Sequence, residues 1–210
     1  RRRCTRLSSA RRRKATARLG KLKGLRVKSP RTTSRIFSMS VLASGQWGHQ
    51  AQGVSPKVMR SVRLQAASIA GRVNTGSIEV ALEMGGPLVQ DPLGSIVTQH
   101  FKALARVLAS LRDREQLSRT WAQLTEQLRR PDRWKVVCGP LGAMVAYLYD
   151  LGIQAPSVSQ WFFPATLCPA TMAGTEEAGH MVSLNPLERS QWAAVTACLA
   201  KHAIASVGMP

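Results

Sequence analysis

The residues whose types and spacing suggest chemistry are basic. Arg11, Lys14, Arg18 and Lys21 recur at i, i+3, i+7 and i+10, so on a helix they share one stripe. Cations in a row are suited to binding rather than bond-making. Guanidinium and ammonium groups donate to phosphate oxygens and displace condensed counterions. Between Arg1 and Arg35 there are 15 Lys or Arg residues and no acid, and the first acid of the whole chain is Glu79. Residues 1–78 carry 19 basic groups, whereas residues 79–210 carry 11 basic and 11 acidic groups. The formal net charge of +19 therefore belongs to the first third of the chain. Self-repulsion on that scale calls for a polyanion, and nucleic acid and anionic lipid are the common ones.

The stripe also says how its helix would sit. Ala15, Leu19 and Leu22 follow one residue behind the cations and make a narrow apolar seam about 100° round. A helix of this kind lies along phosphates while its seam rests on the rest of the protein. A membrane-surface helix needs a wide face with large Leu, Phe or Trp residues, and residues 10–24 hold no aromatic. Gly20 and Gly24 weaken the helix by roughly 1 kcal/mol each relative to Ala. A solvated, disordered basic arm, a nuclear-localisation signal or a translation artefact has the same composition.

The other constellations are weaker. Cys4, Cys138, Cys168 and Cys198 include no CxxC, so no zinc ribbon or redox motif is indicated. Cys198 and His202 with Cys168 and His180 can be written as a zinc set, but the spacing matches no common zinc module. Asp91, Asp113, Asp132 and Asp150 stand singly in loops or at helix ends, and Asp150 is expected to be solvated or Lys-paired. Glu176 and Glu177 beside His180 read as an exposed loop, and no phosphate-binding loop, nucleophile elbow or HExxH is present. Trp47 and His49 can stack on a base, although core packing is the expected use. No catalytic residue, metal ligand or cofactor is assigned.

The elements that must position the cations read as helices. After Ser29-Pro30, a mostly apolar helix from about Thr33 places Ile36, Met39 and Ala43 on one line, with Phe37 and Val41 alongside, and stops at Gly45 and Gly48. The next begins at Ser55-Pro56, lines up Val58, Val62, Ala66 and Ile69, turns Lys57, Arg60 and Arg63 elsewhere, and ends at Gly71. Residues 72–94 read as a loop with one short turn at most. In the neutral half, Val97, Phe101, Leu104, Leu108 and Leu111 form a strong amphipathic repeat. Asp113 to Gln116 can form a capping box for a helix bearing Leu117, Trp121, Leu124 and Leu128. Residues 134–138 read as a short extended piece, and a nearly all-apolar, hence buried, helix runs from Gly139-Pro140 to Leu151, closed by Gly152. Residues 153–185 read as loops, with Trp161, Phe162 and Phe163 clustered among prolines. The last helix opens at Asn185-Pro186 and turns Trp192, Val195 and Leu199 inward.

The expectation is an all-α chain of six or seven helices, a basic N-terminal helix followed by a neutral helical bundle. It divides into a basic region, 1–90, and a neutral region, 91–210. At 44% hydrophobic residues with five Trp, the chain can bury a core. Its longest apolar run, near Leu141 to Leu148, is too short to span a bilayer. A soluble intracellular protein, with the nucleus as its compartment, is expected. Beginning with Arg, the chain reads as a fragment, a processed product or an incomplete gene product.

The segment RRRKATARLGKLKGLR, an apolar helix and then SGQWGHQAQGVSPKVMRSVRLQAA together resemble the region after the palm in reverse transcriptases of non-LTR (LINE-type) retrotransposons. In that family an Arg-rich helix precedes an apolar helix, a Gly-aromatic turn resembling YGAEVWGVSP, and a helix after Ser-Pro. Gly45, Trp47, Gly48, Gly53, Val54, Ser55 and Pro56 fill the matching positions, while Ser44 and Gln46 stand where the family often has Tyr and an acid. Further on, RWKVVCGPLGAMVAYLYDLGIQAPSVSQW looks like a stretch downstream of the thumb, through Trp134, Gly139, Pro140, Leu151, Gly152, Pro156 and Trp161. The likeness covers residues 1 to about 165.

The resemblance implies a thumb-like fragment of an RNA-directed DNA polymerase that grips template–primer duplex, RNA or RNA–DNA. Arg11, Arg12, Arg13, Lys14, Arg18, Lys21, Lys23, Arg26, Lys28, Lys57, Arg60 and Arg63 are the expected phosphate contacts, and no membrane is involved. The family's catalytic Asp-Asp pair does not occur in this sequence. The palm and its Mg²⁺ are expected upstream of Arg1 in the full-length protein. Two alternatives stay open: a free-standing basic RNA-binding helical protein of the nucleolus or ribosome, and a decayed retroelement product.

Overall fold

The basic repeat and its seam form one long helix, α1 (Arg2–Arg26), of 25 residues and so about 38 Å in length. Ala15, Leu19 and Leu22 are all buried, as a shared face requires. The computed structural model describes residues 2–26, 30–46, 48–70, 78–84, 91–111, 113–164, 182–185, 187, 188, 191, 195, 196, 198 and 199. The chain is all-α in the main, with one small sheet. It divides into two compact units, Arg1–His49 with Val54–Leu93, and Gln50–Gly53 with Gly94–Pro210. The division differs from one at residues 90 and 91, because Asp91, Pro92 and Leu93 group with the first unit and residues 50–53 with the second.

In the first unit, α2 (Pro30–Ile36) passes into a π-helical stretch (Phe37–Leu42) and on into α3 (Ala43–Gly45). This overturns the expected line of Ile36, Met39 and Ala43. Phe37 and Val41 are buried, whereas Met39 is 69% exposed and Ala43 is also exposed. A π turn, closed by i→i+5 bonds, is wider than an α turn, so steps of three residues no longer return to one face. Gly45 follows, and a methyl group there would meet the Ala15 Cβ at 3.1 Å, so its lack of a side chain lets the segment close on α1.

After α4 (His49–Gln52) comes α5 (Pro56–Ala70), with Met59, Val62, Ala66, Ala67 and Ile69 buried and Val58 half-buried. Part of the expected loop 72–94 is instead a helix, α6 (Ile78–Met84), because Ala81 and Leu82 join the cluster that holds Leu19, Phe37, Val41 and Ala66. Gly71, Asn74-Thr75-Gly76 and Gly85-Gly86-Pro87 lie outside the described residues.

In the second unit, α7 (Pro92–Ser110) buries Val97, Phe101, Leu104 and Leu108, and ends before Leu111, which is exposed. The helix α8 (Arg114–Gln127) is capped by Asp113, whose Oδ1 accepts the Gln116 N–H at 2.8 Å. The expected extended piece at 134–138 is not one. Arg133–Lys135 is a 3₁₀ turn, with Lys135 N–H donating to Asp132 O and Val136 N–H to Arg133 O, both at 3.0 Å. Next comes α9 (Gly139–Asp150), whose residues 142–148 are all buried. It ends in a Schellman arrangement: Ile153 N–H donates to Leu148 O and Gly152 N–H to Tyr149 O.

The stretch expected to be loops contains a sheet in the order β1-β2-β3, from β1 (Gln154–Ser157), β2 (Gln160–Phe163) and β3 (Val182–Leu184), both pairings antiparallel. Pro156 is accommodated because β1 is an edge strand. Strand alternation buries Trp161 and Phe163 and leaves Phe162 half-exposed. Trp161 stacks on Trp121 at 6.2 Å and meets Phe101 edge-on at 5.5 Å, while the Trp121 indole N–H donates to Ala155 O at 2.9 Å. Val195 and Leu199 are buried; Trp192 lies outside the described residues.

The π-helical register makes a sharp prediction. Phe37→Ala should cost about 3–5 kcal/mol of stability and Met39→Ala less than about 0.5 kcal/mol, measured by denaturant unfolding. The reverse ranking would mean that the segment is an ordinary α-helix.

Candidate nucleic-acid interface

The burial of the seam decides what the cations of α1 can do. Once Ala15, Leu19 and Leu22 face the core, Arg11, Lys14, Arg18 and Lys21 fall on the flank about a quarter-turn away, and all four are exposed. On the opposite flank Arg12 is half-buried and Lys23 exposed, and Arg13 points away from the core. The apolar seam is thus bordered by cations on both sides. Nearby in the same unit, Lys57 and Arg60 of α5 are also exposed. Arg26 closes α1, and Lys28 lies outside the described residues.

Arg63 is a correction. Its side chain is 3% exposed and its guanidinium forks onto Asp91, with Nε donating to Oδ1 and Oδ2 at 3.1 and 3.0 Å and Nη2 to Oδ2 at 2.7 Å. Asp91 is nearly as buried and also accepts the Leu93 N–H at 2.9 Å, so it caps the start of α7. A guanidinium desolvated and bidentate on a carboxylate has no fork left for phosphate. The sequence carried a signal for this: Arg63 shares a helix face with Met59, Ala66 and Ala67, all buried.

The remaining aspartates have local work as well. Asp113 caps α8, Asp132 lies 3.3 Å from Lys135, and Asp150 accepts from Arg133 and from the Trp134 indole N–H. Asp150 was expected to be solvated or Lys-paired; its partner is Arg133, whose guanidinium also lies over the Tyr149 ring and donates to Leu128 O. Gly53 packs here too. With φ near +70° and a would-be Cβ 2.6 Å from the Ala143 Cβ and 3.1 Å from the Trp134 ring, only glycine fits.

Among the described residues no group of three or more His, Cys, Asp or Glu is placed to hold a metal ion, and no helix is long and apolar enough to cross a membrane. Cys198 is buried, while Cys168, Glu176, Glu177, His180 and His202 lie outside the described residues, as does Trp47. The His49 Nδ1–H donates to Gln46 O at 2.8 Å, which fixes its ring within the turn. No protein-family model, curated protein or solved structure matches the chain.

The two arginines of α5 should separate cleanly. Arg63→Gln leaves Asp91 buried without its counter-charge and should cost about 3–5 kcal/mol, whereas Arg60→Gln should stay within about 0.5 kcal/mol. Equal effects in denaturant unfolding would mean that the Arg63–Asp91 pair is not formed.

Proposed function

We propose that the chain is a nucleic-acid-binding region of thumb type, the part that follows the palm in a retroelement reverse transcriptase, and that it grips template–primer duplex through phosphate contacts. The observation that carries this reading is the amphipathic division of α1: a buried seam of Ala15, Leu19 and Leu22 beside an exposed stripe of Arg11, Lys14, Arg18 and Lys21. A disordered basic arm would have no reason to place its few apolar residues on one face. The stripe covers eleven residues, about 15 Å from first to last along the helix, and one strand of B-DNA offers about four phosphates over that axial length. Lys57 and Arg60 extend the set.

Such contacts position a duplex without reading its sequence, so affinity comes from counterion release. The chemistry of nucleotide addition belongs in this proposal to the palm of the full-length protein, since the chain has no paired aspartates. Binding, not turnover, is therefore the activity to measure.

With about six basic groups on phosphates, the slope of log K against log salt should be near −5 on B-DNA and nearer −4 on single strands. Replacing Arg11, Lys14, Arg18 and Lys21 by Gln should lower that slope by about three to four, while the helix persists because Gln is a good helix former. Sequence preference should stay small. An unchanged slope would remove the stripe from the interface and leave a localisation signal as the better account.

A further inference from the structure

On the flank of α1 opposite the stripe, the first unit contains a cavity of about 390 Å³, walled by α1, the π-helical stretch and α5. That is within the range of about 300–1,000 Å³ usual for small-molecule sites. Its floor is apolar, made by Phe37, Val41 and Val62, all buried. Its walls carry hydroxyl and amide groups from Thr16, Ser61 and Gln65, and Arg12 and Lys57 stand at its edge. No Asp or Glu is among the residues that line it. The π-helical stretch supplies Phe37, Val41 and Leu42 to the lining, and such widened turns recur at functional sites.

We infer that this cavity receives one unpaired nucleotide at the end of the bound duplex, the base against the apolar floor and its phosphate beside Lys57. The inference rests on the nucleic-acid reading and specifies its ligand. The floor matches the faces of a base, which gain from leaving water whatever the sequence. Amide and hydroxyl groups can meet the base edge, and the cations and the missing carboxylates favour an anionic ligand over a neutral one. Arg12 is the cation that borders the seam on the flank away from the stripe, so a duplex laid across both cationic borders of α1 has its backbone within reach of the cavity. An unpaired terminal nucleotide enters without breaking a base pair, whereas an internal one would have to be flipped out.

The test compares a blunt 20-base-pair duplex with the same duplex carrying one unpaired 3′ nucleotide, both titrated against the full 210-residue chain. The overhang should tighten binding about fivefold or more. Ser61→Phe, at an exposed position on the cavity wall, should abolish that preference while leaving blunt-duplex affinity and salt slope within about twofold. Ser61→Leu, a smaller plug, replaces it if circular dichroism shows lost helix. Equal affinity for the two duplexes, or a preference that survives the plug, overturns the cavity assignment and leaves the phosphate-gripping reading intact. Failure of the unmodified chain to bind either duplex overturns both.

Discussion

The first unit depends on a narrow strip of apolar surface on a helix that is otherwise repelled by itself. Ala15, Leu19 and Leu22 must be buried for α1 to have any fixed orientation, and burying each leucine contributes about 1.5–3 kcal/mol. Against this stand the like-charge neighbours Arg11–Lys14, Lys14–Arg18 and Arg18–Lys21, each costing about 0.2–0.5 kcal/mol. On these terms the seam wins by a few kcal/mol, all of which depends on the surface that receives it. The π-helical turn that brings Phe37 and Val41 inward, and the bare Gly45 under Ala15, supply that surface. The same geometry that buries the seam sets the cations outward, so folding and charge display have one cause.

Asp91, whose side chain is 7% exposed, works in the opposite sense. Placed against Arg63, it removes one cation from the exposed set and uses it to tie α5 to the first residues of α7. Such a pair contributes little net stability over an apolar substitute, yet loss of either partner is costly. The second unit is built differently, around Phe101, Trp121 and Trp161 and the all-buried middle of α9, with Asp113 as a cap and Asp150 as an ion-pair partner. One unit carries the excess charge and the other the aromatic core.

Much of this was legible in the sequence, for identifiable reasons. The seam and stripe of α1, the repeat from Val97 to Leu108, the Asp113 cap and the buried α9 all rest on local periodicity or capping, and each appears where expected. What local pattern could not show depended on partners. The rephasing at Phe37–Leu42 has no composition signal, since a widened turn uses ordinary residues. The strands have three or four residues, one containing Pro156, and β3 pairs with a strand that ends about twenty residues earlier. At 133–135 the hydrogen bonds of Arg133 and Trp134 to Asp150 override the extended propensity of WKVV. Of the proposed phosphate contacts, Arg11, Arg13, Lys14, Arg18, Lys21, Lys23, Lys57 and Arg60 are exposed, whereas Arg63 is buried on Asp91.

The central claim is that one flank of α1 meets phosphate, and lysine reactivity reports on it directly. Lys14, Lys21, Lys57, Lys102 and Lys135 are all exposed in the free chain, so an amine-acylating reagent should label each of them. With saturating duplex at low salt, mass spectrometry should find Lys14 and Lys21 strongly protected, Lys57 protected in part, and Lys102 and Lys135 as reactive as before. Protection confined to Lys102 and Lys135, or spread evenly over all five, would contradict the account.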